Sequence, residues 1–161
     1  MSRVEKGEYW LWVVVAILAL ALIVATGYRQ WSGKQGLPVV YAEVTNNCDL
    51  NLTACTATAE NRGDVTLTIT PRPIPLVKPI KIVVATTVAD VKGVDVDFSG
   101  VDMDMGFNRF HLVANGNGEF VGDAMLPVCI RSRMTWEAKV TLQRGGETVV
   151  SSYQFDTNST H

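Results

Sequence analysis

The chain has 161 residues, enough for one compact domain and an anchor but not for two full domains. Its formal net charge is -2 and it contains two histidines, which excludes the strongly basic composition of most nucleic-acid-binding proteins. Hydrophobic residues make up 47% of the chain and are concentrated near its N-terminus.

The first predicted element is a transmembrane helix over residues 9–27, with residues 1–8 in the cytoplasm. The run Tyr9–Thr26 contains no charged residue. A helix of this length spans about 27 Å, which is close to the thickness of a bilayer's hydrocarbon core. Aromatic residues flank the run, as they do at membrane interfaces. A cleaved signal peptide is the alternative, but its apolar region is usually about 7–15 residues long and ends at a small-x-small site that is missing here.

Three cysteines indicate the compartment of the remaining chain. Cys48 and Cys55 enclose the short polar loop "CDLNLTAC", as the two halves of a disulfide would. Disulfides persist in oxidising compartments. We therefore expect a single-pass protein of a bacterial inner membrane whose C-terminal domain lies in the periplasm. Its predicted parts are a juxtamembrane linker at 28–47, the periplasmic domain at 48–156 and a tail at 157–161.

Short runs with alternating apolar and polar residues follow the cysteine loop and predict β-strands. In "VTLTI" the residues Val65, Leu67 and Ile69 share one face, and "MTWEAKVTL" alternates in the same way from Met134. The proline-rich "PRPIPLVKP" is predicted to be an extended crossing segment. The Asn-Gly pairs in "NGNG" favour a hairpin. About seven strands, with no helical periodicity after residue 30, predict an all-β, immunoglobulin-like β-sandwich.

The alternation changes parity at Ser99–Gly100, which predicts a β-bulge or a corner. Beyond this point the apolar positions are Val101, Met103 and Met105, and the aspartates between them are expected to face outward. Met103 and Met105 are therefore predicted to lie on the inner face of the sandwich.

Cys129 is the odd cysteine, and it is predicted to be a free thiol if Cys48 and Cys55 pair. Thiolate and thioether ligands select Cu(I). The candidate copper ligands are Met103, Met105, Met125, Cys129 and Met134. The alternative is that Cys129 is a small buried apolar residue and that the methionines belong to the core.

No motif of a known enzyme class is present, and one internal histidine leaves little for acid–base chemistry, so we predict that the protein is not an enzyme. A thiol–disulfide enzyme is disfavoured because six residues separate Cys48 from Cys55, unlike the CxxC arrangement.

A second possible role is a metal-free contact surface for a membrane partner. It would be formed by "PRPIPLVKP" and by Phe107, Asn108, Arg109 and Phe110.

The segments "VDMDMG", "GNGEFVGDAMLP" and "MTWEAKV" resemble, in order and content, the YtkA-like and FixH-like periplasmic domains. The chain also resembles a group of membrane-anchored proteobacterial proteins that carry "CDL…C", "GVDMDMGFNR" and "LPVC". The resemblance implies an immunoglobulin-like sandwich and a role near copper handling. The expected function is a membrane-anchored periplasmic accessory protein that binds Cu(I) or assists assembly of a haem–copper respiratory oxidase. The alternative is a metal-free structural or interaction subunit of a membrane complex, with a partner such as an oxidase subunit.

Overall fold

The chain forms two compact units, Met1–Leu37 and Pro38–His161. The computed structural model describes residues 4–32, 37–45, 48–103, 106, 108–127 and 133–158. The first unit contains the helix α1, Val4–Ser32. Its segment Trp10–Gly27, with a mean hydropathy of 2.5, is long and apolar enough to cross a membrane. A signal sequence would meet the same criteria.

The second unit is a closed β-barrel. Its nine strands within the described residues are β1 Val39–Val44, β2 Cys55–Ala59, β3 Gly63–Thr70, β4 Pro79–Thr86, β5 Val91–Gly100, β6 Arg109–Gly116, β7 Glu119–Met125, β8 Arg133–Arg144 and β9 Glu147–Asn158. Around the barrel the order is β1-β2-β3-β4-β7-β6-β5-β8-β9. Neighbouring strands are antiparallel except β9 and β1, which pair in parallel and close the sheet.

The predicted seven-strand immunoglobulin-like sandwich is wrong, because the strands form one closed barrel. Two strands, β1 and β6, connect what would otherwise be two separate sheets. Residues 39–42 of β1 pair with β9, whereas Glu43 and Val44 pair with β2. In β6, residues 109–112 pair with β5, and Val113 and Ala114 pair with β7. Since β1 and β6 each change partners along their length, no free edge remains between the halves. β1 lies inside the predicted linker 28–47, and β9 extends into the predicted tail 157–161.

Alternating residues of the strands fill the barrel interior, as the period-two pattern predicts. The strands predicted from "VTLTI" and "MTWEAKVTL" are confirmed, with Val65, Leu67 and Ile69 fully buried in β3. The largest interior side chains are Trp136 in β8 and Tyr153 in β9. The Tyr153 hydroxyl donates a hydrogen bond of 2.7 Å to the Val65 carbonyl oxygen, so its polar atom is satisfied inside the barrel.

We expect the barrel to lose stability as the pH rises from 10 through 12, because burial raises the pKa of Tyr153 to about 12. A phenol in the unfolded chain ionises near pH 10, so its proton is held more tightly in the folded state. The stabilisation is therefore complete below pH 10 and lost above the folded pKa, a change of about 2–3 kcal/mol. Urea unfolding of residues 37–161 at several pH values measures it. The Tyr153→Phe variant is the control, and an equally steep loss in that variant would contradict the assignment.

Of the two possibilities predicted at Ser99–Gly100, the structure does not have the β-bulge. β5 ends at Gly100, and Val101 is exposed within the connection that leads to β6. The change of parity marks the end of a strand there, because the chain leaves the sheet and the alternation restarts at Arg109. Described bulges or irregularities lie elsewhere, between Val91 and Gly93 and between Ala114 and Gly116.

The predicted hairpin at "NGNG" is confirmed. β6 and β7 are joined by Asn117 and Gly118, with φ angles of 52° and 77°. Positive φ at both central residues is typical of the turn that matches the twist of a hairpin. The proline-rich segment 71–78, by contrast, connects the paired strands β3 and β4 and does not cross between sheets.

Candidate functional site

The two ends of the barrel differ in the length of their connections. At one end, β2–β3, β4–β5, β6–β7 and β8–β9 are joined by two to four residues, and the chain enters β1 there. At the other end, the strands are joined by the seven- to ten-residue segments 45–54, 71–78, 101–108 and 126–132. We call these the turn end and the loop end. Functional residues concentrate on loops that a rigid scaffold positions, so the loop end is the candidate site.

A disulfide holds the first of these connections. Cys48 and Cys55 are bonded with a Cα–Cα distance of 5.6 Å, which confirms the predicted cysteine pair. Leu50, between them, is fully buried in the core. Closing this short loop stabilises the fold by about 2.5 kcal/mol on the chain-entropy model. The β1–β2 connection is therefore fixed to the barrel by a covalent bond and a buried side chain.

Asn51 ties three segments of the loop end together. Its Nδ2 atom donates a hydrogen bond to the Asp156 carbonyl oxygen at 2.9 Å. Its Oδ1 atom accepts a hydrogen bond from the Ile74 N–H at 3.0 Å. Asp49 Oδ1 accepts hydrogen bonds from both the main chain and the side chain of Asn51. The amide group thus links the disulfide loop to β9 and to the proline-rich connection.

Asp156 is the charged centre of the same region. Its carboxylate pairs with the Arg133 guanidinium and accepts a hydrogen bond of 2.7 Å from the Thr135 hydroxyl. The hydrogen bond from Arg133 lowers the pKa of Asp156 below its ordinary value, and the hydrogen bond from Thr135 lowers it further by a smaller amount. Since the folded pKa is lowered, the contribution of these contacts to stability is present above the ordinary pKa and is lost as the pH falls through the folded pKa.

These contacts border a cleft of about 780 Å³. One wall is the proline-rich connection, with the buried Ile74, and the other is the end of β9 with Asp156. Lys78 and Arg133 place cationic groups at the cleft, beside prolines and aliphatic side chains. A surface of this composition can hold an extended polypeptide by apolar contact and by hydrogen bonds from cationic side chains.

We expect Asn51→Ala to destabilise the barrel by about 1–3 kcal/mol, because the Ile74 N–H and the Asp156 carbonyl would lose their partner in a half-buried place. Denaturant unfolding of residues 37–161, followed by circular dichroism, measures the loss. Asn115→Ala is the matched control, since in the described part of the chain the Asn115 amide makes a single long hydrogen bond of 3.4 Å, to Glu119 on the exposed hairpin. An equal loss in the free energy of unfolding for the two variants would show that the hydrogen bonds of Asn51 do not stabilise the barrel.

The predicted copper ligands fall into three situations. Met103 lies in the β5–β6 connection, half-buried against the core. Met125 is the last residue of β7 and is exposed on the outside, whereas Met134 is 6% exposed and faces the interior from β8. Met105 and Cys129 lie outside the described residues. Met125 and Met134 are on opposite faces of the barrel wall, so these two residues are not arranged to bind the same metal ion.

The predicted contact residues are partly engaged in the fold. Arg109 forms a salt bridge of 3.1 Å with Asp97, and Phe110 packs edge-to-face on Phe98 with ring centroids 6.1 Å apart. The Asn108 main-chain carbonyl accepts a hydrogen bond from the Phe98 N–H, and the buried Nδ2 atom of Asn108 has no hydrogen-bond partner among the described residues. Phe107 lies outside the described residues. The described members of this set thus help to attach β6 to β5.

Sequence reasoning missed the residues that build the cleft. Asn51, Arg133 and Asp156 are far apart in the chain, and no sequence pattern links them. The disulfide was the available signal, because it marks the connection that carries Asn51. Within the described residues, no group of three His, Cys, Asp or Glu side chains is arranged to hold a metal ion.

The chain was compared with protein-family models, curated proteins and solved structures, and none of them matches it. The resemblance to YtkA-like and FixH-like domains therefore stays a prediction from short motifs.

Proposed function

We propose that the protein is a membrane-anchored, non-enzymatic binding module whose loop end receives another membrane protein. The observation that carries the proposal is the difference between the two ends of the barrel. The long connections, the disulfide and the cleft of about 780 Å³ lie together at the loop end. The turn end has only short connections.

Exposed apolar side chains support a protein partner at the loop end. Leu52 in the disulfide loop is 77% exposed, and Val77 and Val101 are also exposed on the neighbouring connections. Together with the exposed Met125, they place apolar surface on several connections of one barrel end. Apolar surface beside charged groups such as Arg133 is the composition of protein–protein interfaces. A subunit of a respiratory oxidase is the partner that the sequence resemblance suggests.

In this proposal α1 is an uncleaved anchor and the barrel lies on the oxidising side of the membrane. The length and apolar character of Trp10–Gly27 support the anchor, and the Cys48–Cys55 disulfide supports the compartment. A fusion of alkaline phosphatase after residue 161 tests the orientation, because the enzyme is active only outside the cytoplasm. An inactive fusion that is present at full length in the membrane would contradict the periplasmic placement.

Photo-crosslinking in intact cells tests the binding surface. A photoreactive phenylalanine analogue is placed at Leu52, Val77 or Val101, and in a control at Val113 on the outer wall of β6. Val113 is 66% exposed, comparable to Leu52, so exposure alone does not distinguish the positions. We expect one discrete crosslinked product from the loop-end positions and none from Val113. Equal crosslinking at all positions, or none at the loop end, would contradict the proposal.

A Cu(I) site at the loop end is a second candidate, favoured by one observation. Of the candidate ligands that the structure describes, Met103 lies in a connection of that end, and Met125 and Met134 lie at strand ends beside it. Because Met125 and Met134 lie on opposite faces, a site would use a subset of the five, centred on Cys129. Residues 36–161 are titrated with Cu(I) against a competing chelator. We expect Cys129→Ser to weaken binding and Met134→Leu to leave it unchanged, and identical affinities for wild type and Cys129→Ser would exclude this candidate.

A further inference from the structure

Two apolar side chains lie on the outside of the barrel in the first half of β1. Val39 and Tyr41 alternate with inward-facing residues of the strand, so they lie on one face of it. Their exposed fractions are 47% and 74%. Glu43, the next residue in the same series, is polar and exposed. We call Val39 and Tyr41 the β1 stripe.

The β1 stripe lies at the turn end. Val39 is in register with Thr148, directly after the β8–β9 turn, and the Thr148 N–H donates to the Pro38 carbonyl at 2.9 Å. Tyr41 is in register with the half-buried Val150, which extends the apolar surface onto β9. The stripe is therefore opposite to the loop end and separate from the proposed binding surface.

Charges of both signs surround the stripe. Glu147 accepts hydrogen bonds from Arg62 at 3.0 and 3.1 Å and from Arg144 at 2.7 Å. Glu43 and Glu60 border a hollow next to Tyr41. Among these described residues there is no excess of positive charge, so this part of the surface is not expected to attract anionic groups specifically.

The short connection limits how far the stripe can lie from the membrane if α1 is an anchor. The candidate span ends at Gly27, the helix continues to Ser32, and six residues separate Ser32 from Val39. Five helical residues and seven residues at full extension would reach at most about 32 Å. Beyond the hydrocarbon core, the interfacial layer adds several ångströms on each side. An aliphatic side chain followed by a tyrosine and then a glutamate is an order suited to a segment leaving that layer.

We propose that the β1 stripe contacts the interfacial layer of the lipid bilayer, so that the turn end rests on the membrane surface. The proposal rests on the membrane anchor of the proposed function. Because the neighbouring charges are mixed, the contact is made by Val39 and Tyr41 with zwitterionic lipid and does not require anionic lipid. A second copy of the chain could cover the same surface instead of lipid. The experiment excludes this possibility because each nanodisc holds a single chain.

The test uses the full chain in nanodiscs of phosphatidylcholine that hold one chain each. A nitroxide is attached to a single cysteine in a Cys129→Ser background, in which the disulfide leaves no other thiol. The label is placed at Val39 or Tyr41, at Leu52 on the loop end as the aqueous control, and at Leu18 in the span. Electron paramagnetic resonance then measures the collision rates with oxygen, which partitions into lipid, and with a water-soluble nickel chelate.

We expect several-fold lower accessibility to nickel at Val39 and Tyr41 than at Leu52, together with higher accessibility to oxygen. The Val39→Glu substitution should restore nickel accessibility at Tyr41, whereas Leu52→Glu should not change it. If a label at Leu18 is accessible to nickel, α1 does not span the bilayer and the proposed membrane anchor is contradicted. If the label at Leu18 is shielded but the label at Tyr41 is as accessible to nickel as that at Leu52, the anchor is supported and the proposed contact of the β1 stripe is contradicted. Shielding that arises only with anionic lipid would also overturn the proposal.

Discussion

Trp136→Ala is expected to destabilise the barrel by about 3–5 kcal/mol, a large part of the stability of most domains. Trp136 is fully buried in β8, between Gly100 of β5 and Phe155 of β9 in the sheet register. Its indole Nε1 donates a hydrogen bond of 2.9 Å to the Thr157 hydroxyl, which is itself buried. The substitution would leave a cavity in the interior and remove the partner of a buried hydroxyl.

Two milder variants separate the packing of Trp136 from its hydrogen bond. Trp136→Phe keeps most of the ring, and Thr157→Val leaves the indole N–H unpaired at a cost of about 1–3 kcal/mol. Urea unfolding of residues 37–161 is followed by far-ultraviolet circular dichroism, because Trp136 is the only tryptophan in that range. A cost for Trp136→Ala no greater than that for Trp136→Phe would show that the ring does not fill the interior.

Gly118→Val should be the most damaging substitution in the turns. Gly118 has a φ of 77°, and a Cβ atom there would lie 2.5 Å from the Thr86 carbonyl oxygen. The positive φ costs a β-branched residue about 1–3 kcal/mol. Displacing the overlapping backbone costs about 1–3 kcal/mol more. The movement would also weaken the hydrogen bond of 2.9 Å from the Thr86 N–H to the Gly118 carbonyl.

Gly146→Val is the matched control for Gly118→Val. Gly146 has a similar φ of 93°, but no atom lies within 4 Å of the position that a Cβ atom would occupy, so only the backbone strain applies. The difference in the free energy of unfolding between the two variants therefore isolates the contact between the β6–β7 turn and β4. Equal losses would mean that this contact does not contribute to holding the turn end together.

Local patterns predicted the strands well, because each depends on residues close in sequence. The alternation in β3 and β8 and the Asn-Gly turn at Asn117 all hold in the structure. β1 and β2 were not recognised, because they are short. β2 has the small residues Ala57 and Ala59 at its buried positions, where a strong apolar signal would be expected.

The closure of the barrel could not be predicted from the same patterns. A sandwich and a barrel both require one buried face on each strand, so their alternation is identical. The difference lies in β1, which connects β2 to β9, and in β6, which connects β5 to β7. Without β1, the seven recognised strands have two free edges, and a sandwich is the natural conclusion.

The candidate site was predictable only in part. The disulfide and the proline-rich connection were found in the sequence, and both contribute to the loop end. The contacts of Asn51 with Asp156 span 105 positions in the chain, and no local pattern encodes them. The inward direction of Met134 followed from the alternation of β8, whereas Met103 was assigned to a strand that ends before it.

The parallel pairing of β1 with β9 has a consequence for biosynthesis. Val39–Ala42 cannot pair until residues 148–151 have been synthesised, and these belong to β9, the last strand of the barrel in the chain. Until then the nascent domain has two unpaired strand edges, at β1 and at β8, where another chain can add. Contacts between such distant segments also slow folding. A chain that stops before β9 is therefore expected to be aggregation-prone and a substrate for quality-control proteases, although most of its strands are present.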